Sequence, residues 1–380
     1  MPSSHRPAWA EISTSALRSN VLALKSVLGA TSLCGVVKAN GYGHGVQLVA
    51  RTVLEAGAHS LAVATVDEGV ELREAGLKAP ILLLAEVSSS ALPDALASSL
   101  TLTVGSLGGA RDVLEVAKNV TGVHRVHLKV DTGMHRMGVA PGDVAAVLDV
   151  LAGSTHVDVE GIYTHFNVAD GSSADDRGFT HHQIEVFDEV LAATSPDRRP
   201  RVVHLANSAG ALGYEQARRD MARVGLALYG YLPAPWLAGA LEEQHVTLSP
   251  VMTLRAKVVA SRRVGAGERP SYGRRRALAK DSNIVTVPFG YADGYPRRLF
   301  EAGAEVLING RRYPLAGTVT MDQLLVDVGD DEVVVGDEVV LLGRQGDEQI
   351  SADEWAQRAG TISWEVLCGV GARVPRVLVD

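Results

Sequence analysis

Lys38 ends a short apolar run, Cys34-Gly35-Val36-Val37, and is followed by Ala-Asn-Gly-Tyr-Gly-His-Gly through Gly45. An amine, a phenol, an imidazole and three glycines thus fall within eight residues. Burying an amine disfavours its charged form and lowers its pKa. That is what a lysine needs to form an imine with a carbonyl group. Gly41, Gly43 and Gly45 let the backbone approach a ligand closely, while Tyr42 and His44 add polar groups at the same strand end. Taken alone, Lys38 reads as a strand-end lysine whose amine reaches water, and it is the flanking residues that favour the chemical reading.

Other groups stand at comparable places. Lys129 and Arg136 lie in LKVDTGMHRMG, His165 in YTHFN, Asn207 and Ser208 in HLANSAG, and Arg223, Gly225 and Leu226 in RVGLALYG. Further on come Tyr272 in RPSYGRR, Tyr291 in GYADG, and Thr320, Met321 and Asp322 in GTVTMDQ. Each has an ordinary reading too. Ser208 suits a helix cap, His165 a satisfied strand-end histidine, Lys129 a polar residue at a strand end, Arg223 a surface arginine and Tyr272 a turn residue.

Strands are needed to bring these groups together. Leu33–Val37 heads a series of apolar runs at Ser60–Thr65, Pro80–Ala85, Leu100–Val104, Val126–Val130, Val159–Thr164, Val202–Leu205 and one leading into Val224–Leu228. Helical patterns such as 46–56, 66–75, 110–116, 144–151 and 180–192 fall between them. Eight strands alternating with helices predict a (β/α)8 barrel, with functional groups at the C-terminal strand ends. From about Leu248 the pattern becomes strands separated by turns such as Asn309-Gly310, which predicts a mainly-β domain. The expected boundaries are 1–240 for the barrel and 241–380 for the β domain, with residues 1–13 able to pair with the latter. A short helix is expected near Ala352–Ala359 and a last strand near Arg373–Val379.

At 380 residues the chain suits a barrel of about 250 residues plus a second domain. A net charge of −8 without basic clusters argues against nucleic acid or a membrane surface as partner. Cys34 and Cys368 form no metal or redox spacing and read as buried thiols; no metal site is expected. The opening residues lack a charged segment followed by an apolar core, and no apolar run reaches the ~20 residues that span a bilayer. A cytoplasmic location is expected.

The segment VVKANGYGHG resembles the cofactor-lysine motif of the alanine racemase family, which is pyridoxal 5'-phosphate dependent and of fold type III. The resemblance covers both domains in order. It implies that Lys38 carries the cofactor, that Arg223 donates to its pyridine nitrogen, and that His165 lies against its ring. Ser208, Gly225, Leu226 and Tyr42 would contact the phosphate, with Asn207 beside them. The SYG segment implies that Tyr272 is a second catalytic base opposite Lys38. A phenol with a pKa of about 10 needs nearby positive charge for that role, and Arg136 is the matching group. Lys129 would hold Arg136, and matches a lysine carbamylated in many family members. Met321 would offer a backbone N–H to the substrate carboxylate, with Asp322 beside it and Tyr291 at the entrance.

The resemblance further implies a homodimer with composite sites, Tyr272, Met321 and Asp322 entering the partner's barrel. The activity implied is interconversion of L- and D-alanine, which supplies D-alanine for bacterial peptidoglycan. There are departures from the family's pattern. Thr318 and Thr320 replace the arginine and cysteine of GRVCMDQ, and Ala372 stands where some members have tyrosine. Racemisation of another small amino acid such as serine is therefore an alternative, as are a decarboxylase of the same architecture and a non-catalytic cofactor-binding protein. Arg223 weighs against the decarboxylase, which is expected to place a carboxylate at the ring nitrogen.

Overall fold

A computed structural model of the chain describes residues 5–380. The chain divides into two compact units. One comprises Leu17–Gly41 and Val46–Ser249; the other comprises the described residues up to Ala16, together with Tyr42–Gly45 and Pro250–Asp380. Strand β1 (Ala8–Ser13) leads into helix Thr14–Leu28, whose first turn is capped by Ser13 accepting from the Ala16 N–H.

The first unit contains β2 (Ser32–Val36), β3 (Ser60–Val63), β4 (Ile81–Leu83), β5 (Leu102–Val104), β6 (His124–Lys129), β7 (Val157–Tyr163), β8 (Val202–His204) and β9 (Met221–Val224). Two parallel four-stranded sheets run in the orders β4-β3-β2-β9 and β5-β6-β7-β8. They join at both seams. Leu83 and Thr101 bond across one, and across the other the Asp220 and Arg223 N–H groups donate to Val203 and Ala206 at 3.1 and 2.9 Å. The result is a closed α/β barrel. Every residue of β3, β4 and β5 is buried, as expected of strands covered on both faces. Each such leucine, isoleucine or valine contributes about 1.5–3 kcal/mol to stability.

Local chemistry places the helices between the strands. Thr65 and Glu68 form a reciprocal capping box at helix Val66–Glu74, and Ser173 and Asp176 do the same at helix Ala174–Ala193. The last barrel strand stops at Val224 rather than running on to Leu228. Gly225 leaves the extended region (φ −111°, ψ −97°), and Leu226–Tyr229 forms a 3-10 turn.

In the second unit β1 pairs antiparallel with β10 (Met252–Lys257) and parallel with the last strand of the chain. Of residues 1–13, residues 1–4 lie outside the described residues. The other strands are β11 (Ala260–Val264), β12 (Ser282–Val287), β13 (Glu305–Ile308), β14 (Arg311–Pro314), β15 (Leu324–Gly329), β16 (Glu338–Gln345), β17 (Glu348–Ile350) and β18 (Arg376–Val379). They form a seven-stranded sheet with backbone order β14-β13-β16-β10-β1-β18 and a three-stranded sheet β11-β12-β15. Asn309 and Gly310, at φ +51° and +73°, make the tight β13–β14 hairpin.

Helix Ala352–Ala359 is followed by a second, Ser363–Cys368, that strand patterning did not anticipate. Cys368, expected to be buried, is exposed at its end. Cys34 is buried, and burial pushes its thiol up to about 11.

Candidate active site

Lys38 follows β2 at the C-terminal end of the barrel strands. The chain then takes an unusual path: Ala39, Asn40, Gly41 and Tyr42 all have φ between +52° and +60°. Left-handed backbone costs roughly 1–2 kcal/mol for each non-glycine residue, so this turn must be held. Gly41 N–H closes it onto the Val37 carbonyl at 2.8 Å. Glu68 accepts the Ala39 N–H at 2.6 Å, and the Asn40 side chain accepts the Val46 N–H at 2.9 Å. A sharp left-handed turn therefore aims the residue before it, Lys38.

Arg223, at the end of β9, is buried. Its guanidinium donates to the carbonyls of Thr164, Leu205 and His204 at 2.8, 3.0 and 3.2 Å and to His204 Nδ1 at 2.7 Å. It also lies 4.9 Å from the centre of the Tyr163 ring. His165 Nδ1 lies 3.4 Å from the same guanidinium, so the surface-arginine reading is replaced by that of a buried cation held by five acceptors. Asn207, rather than Ser208, caps helix Ser208–Gly213, accepting the Gly210 N–H at 2.9 Å. Ser208 Oγ accepts the Gly225 N–H at 2.9 Å and faces the Ala227 N–H at 3.5 Å. That leaves its hydroxyl proton to offer to an anion.

Lys129 ends β6 and is buried. Burial, together with the positive charges of Arg136, Arg223 and Lys38, lowers its amine to about 8, against the opposing pull of Asp131. The loop that follows is set by Asp131, whose carboxylate accepts the Gly133 and His135 N–H groups at 3.0 Å each. Gly138 brings it back to β6, where a Cβ would lie 2.6 Å from the Asp131 nitrogen. Arg136 is exposed on this loop. His165 follows β7; burial and then Arg223, Lys129, Arg136 and Lys38 hold it well below the usual histidine range, so it is neutral. Lys38, Lys129, Arg136 and Arg223 therefore share one field, a set of cations suited to an anionic ligand.

The second unit carries the remaining candidates. Tyr272 is exposed, 72% of its surface open, on a turn with Ser271 at φ +70° and Gly273 at +75°. Ser271 Oγ donates to the Thr318 carbonyl at 2.5 Å, and Gly317 packs where a Cβ would sit 2.4 Å from the Pro270 oxygen. Thr318 is buried beneath this turn. Tyr291 and Ala292 donate backbone N–H groups at 3.0 Å to the carbonyls of Thr320 and Met321. Buried Asp293 accepts both Arg6 nitrogens at 2.6 Å and Arg373 at 3.0 Å; Arg373 also holds Asp322 at 2.7 Å. Met321 and Ala372 are exposed, and the Thr320 hydroxyl is turned back onto the Gln323 carbonyl at 2.8 Å. Tyr42 is buried, and burial followed by the Cys368 charge raises its phenol.

Residues 12–233 match the family model "Alanine racemase, N-terminal domain" and residues 251–378 match "Alanine racemase, C-terminal domain". The chain belongs to the alanine racemase family. It is 46% identical over 375 residues to the alanine racemase of Symbiobacterium thermophilum, covering 98% of this chain and 97% of that one. Against that of Halothermothrix orenii it is 41% identical, covering 98% and 96%. Among solved structures, the alanine racemase from Streptomyces lavendulae matches with TM-score 0.91 and 35% identity over 100% of this chain and 98% of that one. That of Bacillus anthracis with bound L-Ala-P matches with TM-score 0.90 and 34% identity, covering 100% and 96%. The activity is alanine racemisation, an isomerase reaction, and the serine and decarboxylase readings are not favoured. Among the described residues no helix is long and apolar enough to cross a membrane.

Several supporting residues escaped sequence reasoning. Gln183, buried on helix Ala174–Ala193, donates to the His165 carbonyl at 3.3 Å and accepts the Asn167 N–H at 3.2 Å, which sets the loop after β7. His127 and His204 occupy strand positions inside the barrel. Their one sequence signal was a histidine among apolar strand residues.

Proposed function

We propose that the chain interconverts L- and D-alanine with pyridoxal 5'-phosphate and two bases, Lys38 and Tyr272. The observation that carries this reading is the cluster of Lys38, Lys129, Arg136 and Arg223 in one field at the barrel's C-terminal strand ends. The donors fit the cofactor: an amine, a fixed guanidinium, and a serine hydroxyl with a proton to give to phosphate. Bound through Lys38, the cofactor supplies an electron-withdrawing ring that acidifies the Cα–H of an amino acid.

Once the amino acid displaces it from the cofactor, Lys38 serves one face of Cα, removing the proton of the D-enantiomer while Tyr272 delivers one to the opposite face to give the L-enantiomer. Tyr272 serves the other face for the L-enantiomer, with Arg136 holding positive charge beside it. Ser208, Leu226 and Tyr42 hold the phosphate; Gly225 supports Ser208, which accepts its N–H. His165, neutral, packs on the ring. Arg223 donates to the ring nitrogen without releasing a proton, because a guanidinium keeps its charge. Met321 binds the substrate carboxylate through its N–H, supported by Asp322, and Thr320 and Tyr291 line the approach. Tyr272, Met321 and Asp322 act in the site of a second copy, giving a homodimer with two shared sites that works in the cytoplasm to supply D-alanine for peptidoglycan.

The test is complementation. Lys38→Ala and Tyr272→Phe should each be inactive by about 10²-fold or more. Mixing the two after dissociation should restore about a quarter of wild-type racemisation, since half the dimers carry one intact site. No recovery in a confirmed mixed dimer would place both bases in one copy.

A further inference from the structure

Barrel interiors are ordinarily filled by branched apolar side chains. This one contains a polar column instead. From Arg223 it passes to His204 Nδ1 at 2.7 Å, from His204 Nε2 to His127 Nδ1 at 2.8 Å, and from His127 Nε2 to Glu160 at 3.3 Å. Both histidines are buried. Glu160 faces Arg201 at 2.9 Å and Arg125 at 3.7 Å, and Arg201 is also held by Asp158. Gly161 makes room for the His127 ring: a Cβ there would lie 2.6 Å from its Nδ1.

The donors fix the protons. A guanidinium only donates, so His204 Nδ1 must be the acceptor and the proton of neutral His204 lies on Nε2. That proton goes to His127 Nδ1, so His127 must carry its own on Nε2, pointing at the Glu160 carboxylate. A cationic His127, or its other tautomer, would set N–H against N–H inside the barrel. The groups facing His127 are His204, Glu160, Arg201 and Arg223, and burial is the main force keeping it neutral.

We propose that His127 and Glu160 are positioning residues for Arg223: they hold His204 in the tautomer that accepts the guanidinium, and so set where that guanidinium points. The inference rests on the reading of Arg223 as the group facing the cofactor ring.

Two-bond 1H–15N spectra of histidine-labelled protein, with and without cofactor, read the tautomers directly. Wild type should show His127 and His204 neutral and protonated on Nε2 from pH 6 to 9. Glu160→Leu should move the His127 proton to Nδ1, while Glu160→Gln, which keeps an acceptor, should leave it. With cofactor, Glu160→Leu and His127→Leu should lose about tenfold to a hundredfold in kcat with KM little changed, as expected for a misaimed group. His127→Asn, whose side-chain oxygen can accept from His204, should keep most of the activity.

A wild-type His127 that is cationic or protonated on Nδ1 would overturn the proposal. So would unchanged tautomers in Glu160→Leu, or equal losses in His127→Leu and His127→Asn. The Glu160 pair decides the question if the His127 variants do not fold. A wild type that shows the expected tautomers but no racemisation would instead refute the proposed function.

Discussion

Glu68 is a sharp place to test whether the left-handed turn after Lys38 is held from outside. Its carboxylate accepts the Ala39 N–H at 2.6 Å and the Ala64 and Thr65 N–H groups at 2.8 and 3.2 Å. Hydrogen bonds to a charged group contribute ~1.5–3 kcal/mol, and partial exposure of Glu68 favours the lower figure for the Ala39 bond. Loss of the capping box removes about 1 kcal/mol more from helix Val66–Glu74. Glu68→Ala should therefore cost roughly 2–3 kcal/mol in all, of which ~1.5 kcal/mol falls on the turn.

The assay is amide hydrogen exchange at Gly41, whose N–H closes the turn onto Val37. A loss of ~1.5 kcal/mol in local stability speeds exchange about tenfold. Adding Ala39→Gly removes ~1–2 kcal/mol of left-handed strain and restores ~0.5–1 kcal/mol of chain entropy cost. Exchange should then slow again by a few fold. Gly41 exchange unchanged within twofold in Glu68→Ala, or faster exchange on adding Ala39→Gly in both backgrounds, would refute the strained-turn account.

Gly290→Ala would place a Cβ 2.4 Å from the carbonyl oxygens of Thr320 and Met321; KM for alanine should rise about tenfold or more with cofactor affinity unchanged, measured by racemisation and cofactor titration. Burial alone would raise the Asp293 carboxyl, but its bonds to Arg6 and Arg373 outweigh that and lower it. A lowered carboxyl stabilises the fold above its unfolded value of about 3.9 and stops doing so as pH falls through the folded value. The Tm gap between wild type and Asp293→Asn should therefore be full at pH 7 and close below about pH 4; a constant gap would deny the ion pair its role. With its amine lowered to about 8, Lys129 has a substantial neutral fraction at neutral to mildly alkaline pH. In 13C-bicarbonate it should give a carbamate signal that Lys129→Arg lacks, and its absence from wild type would leave Lys129 a plain amine.

The sequence by itself determined what depends on near neighbours and on long shared motifs. Eight apolar runs separated by helical patterns defined the barrel, because period and punctuation are local. Asn309 with Gly310 announces its turn for the same reason. Lys38 and the glycines after it were readable as part of a family segment, and so were the segments around Arg223, Tyr272 and Met321. What only the tertiary structure decided is how distant residues meet. Nothing near Glu68 in the chain says that it bonds Ala39, twenty-nine positions away. His127 meets His204 across 77 residues, and Arg6 meets Asp293 across 287. Arg223 likewise looked like a surface residue beside an apolar strand. Barrel closure buries it and supplies the carbonyls of neighbouring strand ends to satisfy it. Burial and hydrogen-bond direction belong to the assembled strands, and they set the tautomers, the lowered amine of Lys129 and the neutral His165.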